Sequence, residues 1–156
     1  MSEKEVQNKQ TVVRLFEEVV NQGRLEVLDE IAWPDHLEHR PLPGQTQGRE
    51  GLKQRASMVR AAFNPHFTLE HVLADGEKVA VMWTSRGTHV AEWFGMPATG
   101  KSVVTQGVDI FLMRDGRLAE HWDVVDVTDF LVQSGALPRG QVPVTPPPSV
   151  ARGAGR

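Results

Sequence analysis

The chain has 156 residues, 40% of them hydrophobic, with 17 Lys and Arg against 20 Asp and Glu for a net charge of -3, which suits one compact domain with a core large enough to hold a cavity. The basic residues are scattered and form no stripe interleaved with aromatics, which excludes a nucleic-acid partner. Zero Cys removes disulfides, thiolate nucleophiles and sulfur-ligated metals, and zero Tyr removes the commonest neutral phenol donor to an oxyanion. The start MSEKEVQNKQ is polar, and no apolar run approaches the roughly 20 residues of a bilayer span. The expectation is a cytoplasmic protein with no membrane attachment.

In chain order, Val12, Val13, Phe16, Val19 and Val20 recur at helical spacing over Lys9 to Val20, and Asn21-Gln22-Gly23 supplies a stop. A short helix from Leu25 to Ile31 runs into Trp33-Pro34, where proline forces an exit. Gly48 to Phe63 puts Leu52, Ala56, Val59 and Phe63 on one stripe, ended by Pro65. The period then changes to two. His66 to Ala74 and Lys78 to His89 flank Asp75-Gly76, and Lys101 to Arg114 and Arg117 to Asp126 flank Asp115-Gly116, two hairpin signals that predict four long antiparallel strands. A last helix around Thr128 to Gln133 is closed by Gly135. Everything after Leu137 is Pro/Gly/Arg-rich, so residues 1–137 are the expected domain and 138–156 a disordered tail. Helices followed by a curved antiparallel sheet predict an α+β fold, with a mostly apolar cavity between the first and third helices and the sheet.

The stretch VVTQGVDIFLMRDGRLAEHWDVVD carries the chemistry. Asp109, His121, Asp123 and Asp126 interrupt strands built of Val, Ile, Leu, Phe and Trp, where charge is costly unless solvated, paired or used. His121 and Asp123 are two apart and share a strand face, as a general acid and base must. Whether Asp109 joins them depends on register. A strict two-residue loop sets Asp109 beside Trp122 on the opposite face, and a one-residue bulge reverses this. His36 and His39 invite a metal reading, but with no HExxH motif, no Cys and no further ligands in spacing, no metal is expected. Large apolar side chains such as Phe63 read mainly as core with some reach into the cavity. Trp93, beside Phe94 in the Gly/Pro-bounded loop VAEWFGMPATG, is a candidate for the mouth.

Six segments in order, VVRLFEEVVNQGRLEVLDEI, DHLEHRP, GREGLKQRASMVRAAF, DGEKVAVMWTSRGTH, FGMPATGK and RDGRLAEHWDVVD, resemble the SnoaL-like polyketide cyclases, or ester cyclases, of the nuclear-transport-factor-like superfamily. The resemblance covers roughly residues 8 to 137. It implies a cone-shaped barrel of curved antiparallel sheet closed by N-terminal helices, a homodimer through the open sheet face, no cofactor, and intramolecular aldol ring closure on a hydrophobic small molecule. It assigns Asp123 the place of the acid/base aspartate, with His121 beside it. It puts Asp109 where relatives carry a cavity-facing His or Asp, able to donate to an oxyanion if burial keeps it neutral. His39 and His89 match pocket-lining positions. Ketosteroid isomerase, in the same superfamily, resembles DIFLMRDGR and implies the bulged register. The cyclases place a pocket tyrosine on the first helix, where this chain has Phe16. Two other classes stay open. One is a non-catalytic binder or dimerisation module of the same fold. The other is an isomerase, dehydratase or epoxide hydrolase, the last needing an Asp-Arg-Asp set for which Asp109, Arg114 and Asp123 supply the types although Arg114 lies at a turn.

Overall fold

The computed structural model describes residues 1–140, so the expected tail lies, from residue 141 on, outside the described residues. Helix α1 (Glu3–Arg14) passes directly into a π-helical segment, Leu15–Asn21. A turn of 3-10 helix (Leu25–Val27) and the short α2 (Leu28–Ile31) lead to β1 (Ala32–Glu38), and α3 (Gly48–Phe63) follows. The two hairpins are β2 (His66–Asp75) with β3 (Lys78–Thr88), and β4 (Ser102–Arg114) with β5 (Arg117–Val125); α4 (Val127–Ser134) follows.

The first helix begins six residues earlier than the apolar spacing suggests. Ser2 and Glu5 form a reciprocal capping box that starts it at Glu3. Asn8 and Thr11 are buried on it for a reason that periodicity does not show. Asn8 Nδ2 donates to Gly76 O at 3.1 Å and Thr11 Oγ1 to Gly116 O at 2.8 Å, while Glu5 Oε1 accepts from Gly76 N at 3.0 Å. The helix therefore clasps the turns of both hairpins. At its far end the Asn21 amide exchanges two bonds with the Phe67 backbone, at 2.8 and 3.0 Å, serving the β2 edge as a partner strand would.

The sheet order is β1-β5-β4-β3-β2, with β1 parallel to β5 and the other pairs antiparallel. Five strands stand where four were expected. The extra one, β1, contains Pro34, which an edge strand tolerates because its missing N–H need not pair; the β1–β5 register is interrupted between Ala32 and Leu37. The sheet curves but does not close on itself, and β1 and β2 remain its edges. Its concave face packs on α1, the π segment and α3 through Val12, Phe16, Val19, Leu52, Ala56, Phe67, Val81 and Phe111.

Asp115 (φ 50°) and Gly116 (φ 73°) both take left-handed values, the pattern of the tight turn that suits a two-residue hairpin. The other loop is shifted by one from expectation. Asp75 pairs with Lys78, so Gly76-Glu77 is the turn. In the second hairpin the register slips between Leu112 and Met113, since Leu112 faces Glu120 and Met113 faces Leu118, leaving Ala119 as an extra residue. This bulge puts Asp109 opposite Asp123 and Phe111 opposite His121. All four then lie on the concave face.

Candidate active site

A cavity of about 660 Å³ lies between the helices and the concave sheet face, within the range of small-molecule pockets. Leu15, Phe16 and Val20 come from the π segment, Leu52, Arg55, Ala56, Val59 and Phe63 from α3, and Trp83, Asp109, Phe111, His121 and Asp123 from the strands. Trp93, Phe94 and Met96 reach it from the 89–101 loop, and Phe130 and Leu131 from α4. Its wall is mostly apolar, and its charged groups gather chiefly where β4, β5 and α3 meet.

Within that cluster, the His121 side chain is only 4% exposed and is sandwiched by carboxylates. Nδ1 lies 2.6 Å from Glu38 Oε2, and Nε2 lies 3.2 Å from Asp109 Oδ2. Carboxylate oxygens only accept, so both ring nitrogens carry hydrogen and the ring is an imidazolium, a protonation assigned from its neighbours. The Asp109 contact is close but not aligned as a hydrogen bond, and Nε2 has no well-directed acceptor among the described residues. Phe111 stacks on the ring at 4.7 Å and holds its plane. Burial acts to lower the proton affinity of His121, but the contacts to Asp109 and Glu38 outweigh it and push the pKa up to about 9. Glu38 answers in the opposite sense. Its burial would raise it, and the partnership with His121 brings it below the ordinary carboxylate range.

Asp123 accepts from Arg55 Nη2 on α3. Burial raises its proton affinity above the ordinary value, with Arg55 and His121 opposing, so it is a stronger base than a solvated aspartate. Asp109 Oδ1 accepts from the Trp83 indole N–H at 2.9 Å and Oδ2 faces His121. Asp109 thus bridges Trp83 and His121 and supports the ring from the β4 side. The reach of Trp83 depends on Gly107, where a Cβ would stand 2.3 Å from Trp83 Cζ2.

Of the residues singled out from sequence, Asp109, His121 and Asp123 converge, and Phe63 and Trp93 line the cavity, packed edge to face at 5.0 Å. His39 and His89 do not line it. His39 lies on the outer side, stacked on Trp122 at 4.2 Å and bonded to Glu120 at 2.7 Å. His89 is fully buried behind Phe63, with Nδ1 3.2 Å from Thr99 Oγ1, and pins the 89–101 loop. Arg114 points away to Asp35 at 2.7 Å, so Arg55 is the arginine beside the two aspartates. Glu38 and Arg55 escaped sequence reasoning. Glu38 sits on the strand that was not expected, and Arg55 borders the apolar stripe of α3 without belonging to it.

Asp109, His121 and Asp123 bring one possible metal-ligand atom each within 4.8 Å of one another. Arg55 and the imidazolium already neutralise these carboxylates, and the arrangement reads as an acid/base cluster. His36 is buried within β1 and His39, just past its end, is exposed, so the two do not form a ligand pair. No helix among the described residues is long and apolar enough to cross a membrane.

A family model described as SnoaL-like polyketide cyclase matches residues 10–134. The chain is similar to aklanonic acid methyl ester cyclase of Streptomyces sp. (strain C5), 29% identical over 88% of this chain and 89% of that protein. It is also similar to nogalonic acid methyl ester cyclase of Streptomyces nogalater, 31% identical over 74% of this chain and 88% of that protein. Among solved structures, TsrD from Streptomyces laurentii superposes with a TM-score of 0.77 at 28% identity, covering 88% of this chain and 99% of TsrD.

Proposed function

The chain belongs to the SnoaL-like polyketide cyclase family, and from that premise we propose that it closes a ring on a hydrophobic, polyketide-like ester by intramolecular aldol addition, with side chains alone as acid and base. The observation that carries the reading is a buried carboxylate and a buried imidazolium, two residues apart on one strand face, in the wall of an apolar cavity of about 660 Å³.

Asp123 takes the proton from a carbon flanked by carbonyls, and the C–H electron pair becomes the enolate. The His121 imidazolium beside it stabilises the enolate oxygen by its charge, since a cation in a water-poor site stabilises developing charge far more than it does in water. The enolate carbon then attacks a second carbonyl carbon of the same molecule, a C–C bond forms, and the resulting alkoxide takes back the proton held by Asp123. Nothing is gained or lost, so the product is an isomer of the substrate. Burial of Asp123 suits this cycle because it narrows the gap in proton affinity between the base and the carbon acid.

The convex sheet face belongs to the same reading. Met82, Val104, Val108, Ile110 and Val124 are all exposed there, an apolar patch of the kind that a second copy of the chain would cover.

The test is incubation with aklanonic acid methyl ester and with nogalonic acid methyl ester, followed by chromatography and mass spectrometry. The expected result is a product of unchanged mass and altered absorbance from at least one of them. Saturable binding of both esters without isomerisation overturns the catalytic reading in favour of a binder.

A further inference from the structure

His121 turns Nε2 toward Asp109 Oδ2 at 3.2 Å and gives Nδ1 to an acid 83 residues upstream. Strand β1 runs parallel to β5 with Glu38 in register with His121. Glu38 is held at every polar atom. Its backbone N–H donates to Gln47 Oε1 at 2.8 Å and its carbonyl accepts from Gln47 Nε2 at 2.9 Å, so the Gln47 amide closes on the Glu38 main chain from both sides. Its carboxylate accepts from Arg40 N through Oε1 at 2.9 Å and from His121 Nδ1 through Oε2 at 2.6 Å. The side chain is 1% exposed and has no freedom to serve a substrate.

We propose that Glu38 is the positioning residue of this site: its buried carboxylate engages His121 Nδ1–H and thereby fixes Nε2–H on the side of Asp109 and the cavity wall. A histidine committed in this way does not exchange its Nδ1 proton during turnover. It polarises the substrate carbonyl while Asp123 alone moves the proton. The donor function rests on the cyclase reading above, whereas the control of His121 by Glu38 does not.

The charged and titratable groups around the ring are Glu38 and His36 from β1, Asp109 from β4 and Asp123 from β5, with Arg55 from α3 against Glu38 and Asp123. Glu38 is the one that forms an aligned bond to it. His36, buried with neither ring nitrogen partnered, is held neutral by its apolar surroundings and by the charge on His121, its pKa depressed to about 4.

The experiment is a long-range proton–nitrogen correlation spectrum of histidine-labelled protein across pH 6 to 10, for the wild type and for Glu38→Gln. The variant keeps an acceptor at Nδ1 and removes the charge. In the wild type, His121 is expected to show two protonated nitrogens at pH 7; in Glu38→Gln its titration midpoint is expected to fall by at least one pH unit, a tenfold loss of proton affinity. A neutral His121 in the wild type at pH 7, or an unchanged midpoint in the variant, overturns the proposal. The wild-type spectrum decides the first point even if the variant does not fold. With a turned-over ester in hand, Glu38→Gln should lower kcat and shift the alkaline limb of the pH profile while leaving KM within about twofold. If His121 follows Glu38 and no ester is isomerised, the positioning role stands and the cyclase reading falls.

Discussion

The two faces of the β4–β5 hairpin invert the usual order of a half-buried sheet. On the concave side Asp109, His121 and Asp123 are largely or fully enclosed; on the convex side Val108, Ile110 and Val124 are exposed, Val124 at 68%. An ordinary antiparallel sheet buries its apolar face and shows its polar one. Enclosing these ions costs several kcal/mol per charge before pairing, and pairing only partly offsets it. Both departures fall where another molecule is proposed to sit, a substrate inside and a second protomer outside. A sheet that breaks the solvation rule on both faces at one hairpin is shaped by its ligands as well as by its own stability.

The most direct way to break this contrast is Asp123→Asn, which preserves volume and removes the base. Turnover of the cyclisable ester should fall by about 10²–10⁴-fold, the usual share of a positioned acid or base, with the melting curve little changed. Retained turnover would return Asp123 to a structural role.

Gly107→Ala comes next in size. The added methyl meets the Trp83 ring at 2.3 Å and forces it off Asp109, so stability should drop by about 1–3 kcal/mol. Urea melts followed by tryptophan fluorescence read both the loss and the displaced indole.

Stability against pH sharpens the comparison inside the concave side, since His121 and His36 titrate in opposite directions. The unfolded value of each is near 6.5. His121 rises to about 9 on folding, so it contributes stability that is whole below 6.5 and lost as pH climbs through 9. His36 falls to about 4, so the unfolded chain gains a proton that the folded one refuses, and stability declines as pH drops from 6.5 towards 4. The expected curve is a dome with its top near pH 6.5. Each arm has a limiting slope of about 1.4 kcal/mol per pH unit, that of a single proton. Urea midpoints across pH 4 to 10 give the dome, and His121→Gln and His36→Gln should each flatten one arm.

The smallest effect on the fold is expected outside. Ile110→Lys should change stability by less than about 0.5 kcal/mol and leave cavity chemistry intact. In sedimentation it should convert a dimer to a monomer. A monomeric wild type at micromolar concentration would remove the second protomer from the comparison.

Periodicity and turn chemistry read the hairpins well. Asp115-Gly116 announced the second turn, and the i, i+2 spacing of His121 and Asp123 placed them on one face. What sequence pattern could not carry was pairing between distant segments. The stretch AWPDHLE is short, holds a proline and alternates poorly, yet it becomes β1 because β5 offers a free edge beside it. Glu38 was hidden with it. The Ala119 bulge, which decides the side of Asp109, was legible only through resemblance to a relative. His39 illustrates the opposite error, since the residue just past the end of β1, next to the buried Glu38, faces outward. Ser2 and Glu5 were a readable helix start hidden in a segment that looked merely charged.

The clasp of α1 on the two hairpin turns has a mechanical consequence. Glu5, Asn8 and Thr11 fasten the turn end of the sheet, while at the opposite end the cavity is bounded by the 89–101 loop and α4, with Phe94 at a left-handed φ of 44°. The two ends of the strands are therefore closed by different means, the turn end by side-chain bonds from a helix and the other end by a loop whose backbone bonds tie Val90 to Ala62 and Gly100 to His89.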